Sequence, residues 1–188
     1  MKSGYWIALA VAGVFVLVGL LEWSMGRSAL GPDGQFGWWE SNIWSAECSQ
    51  RVADAYAFSH IGHGIIFFGF LWLVARRLSV GQRYLIAVLI EAAWEILENS
   101  PIIINRYREA TAAQGYEGDS ILNSLSDLMM MSLGFLFAWR TPVWASVALL
   151  VVMEIGCAWW GRDNLTLNVI MLIHPIDAIR EWQLGAEL

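Results

Sequence analysis

Apolar residues fall in long blocks along this chain, and polar residues gather in the short breaks between them. The blocks cover about residues 5–21, 56–75, 84–98, 119–139 and 143–160. A helix needs about 20 mostly apolar residues to cross a bilayer, so the pattern predicts an all-α integral membrane helical bundle of five to six transmembrane helices. The sixth would have to come from Leu165–Ile173, which is too short to cross alone. Extended through His174 and Pro175 to Ile179 it would make a span or a re-entrant piece; the reading taken here is a short or interfacial helix. No A-x-A cleavage site follows the first block, which runs into Glu22-Trp23, so it reads as an uncleaved span rather than a secretory signal. One transmembrane domain over residues 1–188 is expected.

Composition agrees with that pattern. The chain is 57% hydrophobic and 15% charged, with a mean hydropathy of +0.51. Soluble domains average nearer 45–50% apolar and about 25% charged. A net charge of −6, with Lys2 the only lysine, excludes the basic surface that nucleic acid requires. Residues 24–55 are broken by Gly31, Pro32, Gly34 and Gly37, and Trp38, Trp39 and Trp44 suit a loop lying at the lipid headgroups. That loop is read as interfacial and without chemistry. Arg76, Arg77 and Arg83 cluster in one short connection, which places that end, and the N-terminus with it, on the cytoplasmic side of the membrane.

Against this apolar background the charged residues stand out. Glu91, Glu95 and Glu98 recur at helical spacing, as do Asp119, Asn123 and Asp127 where the next apolar block begins. Residues three and four apart share a helix face, so each set forms one polar stripe. His60 and His63 lie one turn apart in the second block, and Glu154 lies in the fifth, with Arg162-Asp163-Asn164 just beyond it. A charge at mid-membrane costs roughly 2.5–3.5 kcal/mol on insertion scales. Both stripes must therefore turn inward, and with the N-terminus inside they meet near the outer leaflet.

Three chemistries fit such a convergence. His60 and His63 with carboxylates from Glu95, Glu98, Asp119 or Asp127 would make a divalent metal site for Zn, Mn or Fe. Alternatively Arg106 and Arg108 clamp an anionic headgroup, Asn123 assists, and Glu95, Glu98, Asp119 or Asp127 acts as an acid or base. The third is a proton or ion path along the acidic stripe. The competing reading is a polar network that only holds the helices together, in a scaffold or a small transporter. No G-x-S-x-G elbow or phosphate loop is present, and His174 and Met129–Met131 read as capping and packing residues.

The run EAAWEILENSPIIINRYREATAAQGYEGDSILNSLSD, with RDNLTLNVIMLIHP later, resembles a family of short bacterial inner-membrane proteins known only as a domain of unknown function. That resemblance implies a multi-pass membrane protein and assigns no activity. A more distant likeness is to the VanZ-like superfamily, whose members carry E-x-x-Q at a helix end, then an Arg, then D-x-x-x-N followed by Gly. Glu95 to Glu98 is similar to the first element with Glu98 in place of Gln, Arg108 to the Arg, and Asp119 with Asn123 to the last. Ser126 stands where the Gly would be. This likeness implies a cell-envelope or lipid-related role, with membrane lipids and a lipid-linked or anionic small molecule as partners.

Overall fold

The computed structural model describes residues 2–111, 113 and 115–185. They form eight helices in chain order: α1 (Lys2–Ser24), α2 (Ala57–Val74), α3 (Val80–Glu98), α4 (Pro101–Ala110), α5 (Ile121–Arg140), α6 (Val143–Gly161), α7 (Leu165–Ile173) and α8 (Asp177–Leu184). Four of them, α1 from Tyr5 onward, α2, α5 and α6, are long and apolar enough to cross a membrane. Only 11% of the apolar window of α1 and 17% of that of α6 is buried against the rest of the protein. Leu20, Val152, Ile155 and Trp159 stand exposed on those two helices. Apolar faces of that extent need lipid or a partner to cover them.

The expected five to six spans thus stand at four on length and composition. α3 matches the others with 19 residues, about 28 Å of helix, but Arg83, Glu91, Glu95 and Glu98 set it apart. α7 has nine residues and α8 eight, in line with a short helix after the fifth block rather than a sixth span.

Local chemistry fixes the boundaries. α3 starts four residues before the expected block because Ser79 and Gln82 form a capping box. Ser79 Oγ accepts from the Gln82 N–H at 3.3 Å, and Gln82 Oε1 accepts from the Ser79 N–H at 2.9 Å. α5 starts at Ile121 rather than Asp119 because Ser120 caps it, accepting from the Asn123 N–H at 3.2 Å. Its other free N–H groups go to the 24–55 loop, with Ile121 donating to Ser28 O and Leu122 to Ala29 O. The connection after Glu98 is not merely a polar loop, since Pro101 opens α4 at a position where its missing N–H costs nothing.

The core lies between α1, α2, α3 and α5, around Val18, Leu71, Val88, Leu128, Met131 and Phe135. α2 and α5 cross at backbone contact. A Cβ on Gly64 would overlap the Met131 carbonyl, and one on Gly134 would overlap the Ile61 carbonyl. Small residues at a crossing let two membrane helices close to this distance. Of the three consecutive methionines, Met131 is wholly buried and Met129 faces outward.

Candidate functional site

Above this core, α2, α3, α4, α5 and α7 enclose a cavity of about 270 Å³. His60, His63, Glu91, Glu98, Asp119, Asn123, Asp127 and Asp163 line it, with the hydroxyl-bearing Ser49, Ser59, Tyr56, Tyr107, Thr111 and Tyr116. The apolar side chains of Phe67, Ile90, Leu165, Val169 and Leu172, with Trp94, complete the lining. Neither Lys nor Arg is among the residues that line it. A second cavity of about 730 Å³ adjoins it under the 24–55 loop and shares Ser49, Tyr56, Ala113, Tyr116 and Asp119.

The two inward stripes do face each other here. His60 Nδ1 lies 2.6 Å from Glu91 Oε1, and His63 Nδ1 lies 3.0 Å from both oxygens of the same carboxylate. Glu91 thus receives both imidazoles and fixes their ring orientation. His60 also sits 3.4 Å from Glu95 Oε1 through Nδ1 and 3.8 Å from Asp127 Oδ2 through Nε2. Glu95 has no exposed surface and stands just behind the cavity lining, and neither of its oxygens has a hydrogen-bond partner among the described residues. Asp127 Oδ1 is likewise buried without one.

A third group sits where α3 ends. The Asn99 side chain is 1% exposed. Its Oδ1 accepts from the Asp119 N–H at 2.7 Å, and its Nδ2 donates to Asp119 Oδ2 at 3.1 Å and Ser124 Oγ at 3.2 Å. Glu95 O and Glu22 Oε1, at 3.2 and 3.5 Å, complete the ring of acceptors around that amide. Tyr116 donates to Asp119 Oδ1 at 2.9 Å. Burial pushes the Asp119 carboxyl up to about 7, against the pull of the Tyr116 hydroxyl and with the charge of Asp54 adding to the rise. On the far side Tyr56 donates to Asp163 Oδ2 at 3.0 Å. Burial raises Asp163 to about 6 and holds the Tyr56 phenol well above its ordinary value.

The structure brings His60, His63, Glu98, Asp119, Asn123 and Asp127 to the cavity, with Glu95 at its back. It does not bring Arg106 or Arg108 there. Arg106 Nε donates to the Leu172 carbonyl at 2.8 Å, at the C-terminal end of α7, where free carbonyls draw a cation. Arg108 Nε donates to the Tyr116 carbonyl at 2.5 Å, and its Nη2 lies 3.6 Å from Glu117. Glu154 is also outside the constellation. Its carboxylate accepts from the Leu165 and Thr166 N–H groups at 3.1 and 3.0 Å and so caps α7. The 24–55 loop, read as free of chemistry, supplies Ser49 to the cavity wall. Its Gln50 donates to the Gly118 carbonyl at 2.8 Å and so holds the turn before Asp119.

Sequence reasoning missed Asn99, Tyr56, Trp94 and Tyr107. Asn99 carried a signal, since it follows Glu95 by four residues and continues the Glu91–Glu95 stripe. Trp94, in an apolar helix beside Glu95, and Tyr107, between Arg106 and Arg108, gave none.

The family described as "Protein of unknown function (DUF2585)" matches residues 22–185. A UPF0314 protein of Agrobacterium fabrum is 51% identical over 182 residues, covering 97% of this chain and 91% of its own. Those of Paracoccus denitrificans and Sphingopyxis alaskensis are 48% and 45% identical, covering 97% and 98% of this chain and 93% and 96% of theirs. No solved structure matches.

Proposed function

The chain belongs to the DUF2585 family, and from that premise we propose that it is a multi-pass protein of the bacterial inner membrane whose cavity binds, and processes, the polar head of a lipid-linked envelope molecule. One observation carries this reading: the cavity lining combines carboxylates, imidazoles and hydroxyls with the apolar side chains of Phe67, Ile90, Val169 and Leu172. Its volume of about 270 Å³ is below the 300–1,000 Å³ usual for a whole drug-sized ligand. It suits a headgroup whose chain stays outside among the lipids.

α3 is read as a fifth crossing, because its charges face the bundle and its length matches its neighbours. With the N-terminus cytoplasmic, five crossings put Arg76, Arg77 and Arg140 inside and the cavity in the outer half. Glu95, Glu98, Asp119 and Asp127 are the groups that would move protons or hold a ligand, with Asn123 beside them. The VanZ-like likeness supports an envelope role through Glu95, Asp119 and Asn123, while Arg108 lies outside the lining. A transporter is disfavoured because Leu128, Met131 and Phe135, each without exposed surface, close the bundle below the cavity.

Native mass spectrometry of the detergent-purified protein tests the reading, with an alkyl phosphate and an alkyl glucoside of equal chain length as probes. Val169→Trp, which fills the apolar mouth, is expected to lose retained probe at least about tenfold, equal to about 1.4 kcal/mol. Arg108→Ala is expected to keep it. Equal retention of both probes by the wild type and Val169→Trp would refute the cavity as their site.

A further inference from the structure

We propose that His60, Glu95 and Glu98 hold a divalent transition-metal ion, with Glu91 beside them fixing the imidazoles. One ligand atom from each of the three residues lies within 4.8 Å of those of the other two, slightly wider than the roughly 4.4 Å that two bonds of about 2.2 Å can span, so a small side-chain shift brings all three onto one ion. The roles of the four residues differ by what already satisfies them. Glu91 Oε1 lies 2.6 Å from the same His60 Nδ1 that faces Glu95 at 3.4 Å, and it also holds His63 through Nδ1 at 3.0 Å, so it is a neighbouring carboxylate already matched by two imidazoles. Glu95 accepts from nothing, although it is completely buried and both its oxygens lack partners among the described residues. An unmatched carboxylate away from water costs several kcal/mol unless a cation or proton meets it.

The charge balance points to a metal ion. Glu91, Glu95, Glu98 and Asp127 gather around His60 and His63, and among the described residues no Lys or Arg lines the cavity. An imidazole with carboxylates favours Zn, Mn or Fe over Mg or Ca, which prefer oxygen alone. The inference rests on the headgroup reading and deepens it. An acidic cavity repels a phosphate, whereas one holding a divalent ion accepts a phosphate oxygen as a further ligand. His60 and Glu98 line the cavity, and the buried Glu95 lies 3.4 Å from His60, so an ion among them faces an entering head.

The test is elemental analysis of the full chain, purified in detergent without chelator, beside His60→Ala and Glu95→Gln. Wild-type melting with and without EDTA keeps the test valid if either variant fails to fold. About one metal ion per chain is expected, with a melting point that falls on chelation. Loss of an orienting or ligating group typically weakens metal affinity 10–100-fold or more, so both variants are expected to lose the ion. A wild type that stays metal-free after exposure to Zn, Mn and Fe in turn, with melting indifferent to EDTA, overturns the proposal. So does a folded Glu95→Gln that keeps the full complement. The two probes separate this failure from that of the headgroup reading. Retention of both by a protein shown to be metal-free sinks the metal alone, whereas chelator-sensitive retention of the alkyl phosphate with unchanged glucoside supports it.

Discussion

Replacing Asn99 is expected to loosen the outer half of the bundle more than any single change at the cavity surface. In the wild type this amide joins α3 to Asp119 and to Ser124 of α5, and it approaches Glu22 of α1. Its two donors and its acceptor make about three sound hydrogen bonds, at 2.7, 3.1 and 3.2 Å. A buried bond contributes about 0.5–1.5 kcal/mol, and a donor left unmatched costs about 1–3 kcal/mol. Asn99→Ala removes all three bonds and orphans the Asp119 N–H, so a loss of about 2–4 kcal/mol is expected. At about 2–4 °C per kcal/mol for a chain of this size, melting should fall by roughly 5–15 °C. Asn99→Asp keeps the acceptor but turns the donating amide into a carboxylate facing Asp119 and Glu22. It should be worse than Ala at neutral pH and recover part of the loss in mild acid, where one of the carboxylates takes a proton. A thiol-reactive dye reads unfolding directly, because Cys48 and Cys157 are free and Cys157 is buried. An Asn99→Ala protein that melts within about 2 °C of wild type would refute the argument, since that shift is less than one buried bond.

The α2–α5 crossing gives a second prediction. Gly64→Ala and Gly134→Ala should each cost about 1–3 kcal/mol by overpacking, and the pair less than their sum because both push the same two backbones apart. Gly69→Ala, with open space around its site, is the control and should melt at or above wild type; equal behaviour of all three would remove the crossing from the account. A pH series gives the third. Asp119 in the folded chain keeps its proton up to about 7, while in the unfolded chain it ionises near 3.8. The folded state therefore binds the extra proton between those values, and this carboxyl's contribution to stability falls as pH rises through that window. Asp119→Asn should flatten the slope of melting temperature against pH across the window, and an unchanged slope would show that another group sets it.

Much of the bundle was readable because each apolar block is long and its ends are marked. Ser79, Ser120 and Asn164 precede α3, α5 and α7, and Pro142 precedes α6. The two polar stripes were readable for the same reason, since a carboxylate in an apolar helix has few places to point. What the pattern hid was partnership across the sequence. Arg106 and Arg108 looked like anion clamps because they sit between two acidic stripes, but backbone carbonyls at Leu172 and Tyr116 reach them first. Glu154 looked like a member of the cluster, yet it faces the start of α7. No local pattern records which carbonyl or N–H a long side chain will meet. Asn99 was hidden differently, since its role depends on Ser124 and Glu22, which lie 25 and 77 residues away.

α7 is fastened at both ends, by the Glu154 carboxylate at Leu165 and Thr166 and by the Arg106 guanidinium at Leu172. A rod pinned twice rolls about its own axis far more easily than it swings aside. Leu165, Val169 and Leu172 on α7, and Ile90 with Trp94 on α3, all line the cavity. On the headgroup reading proposed above, a molecule entering from the lipid would pass between these side chains. On that reading, the side chains α7 turns toward α3 set the width of the passage, which would then select by chain thickness more than by chain length.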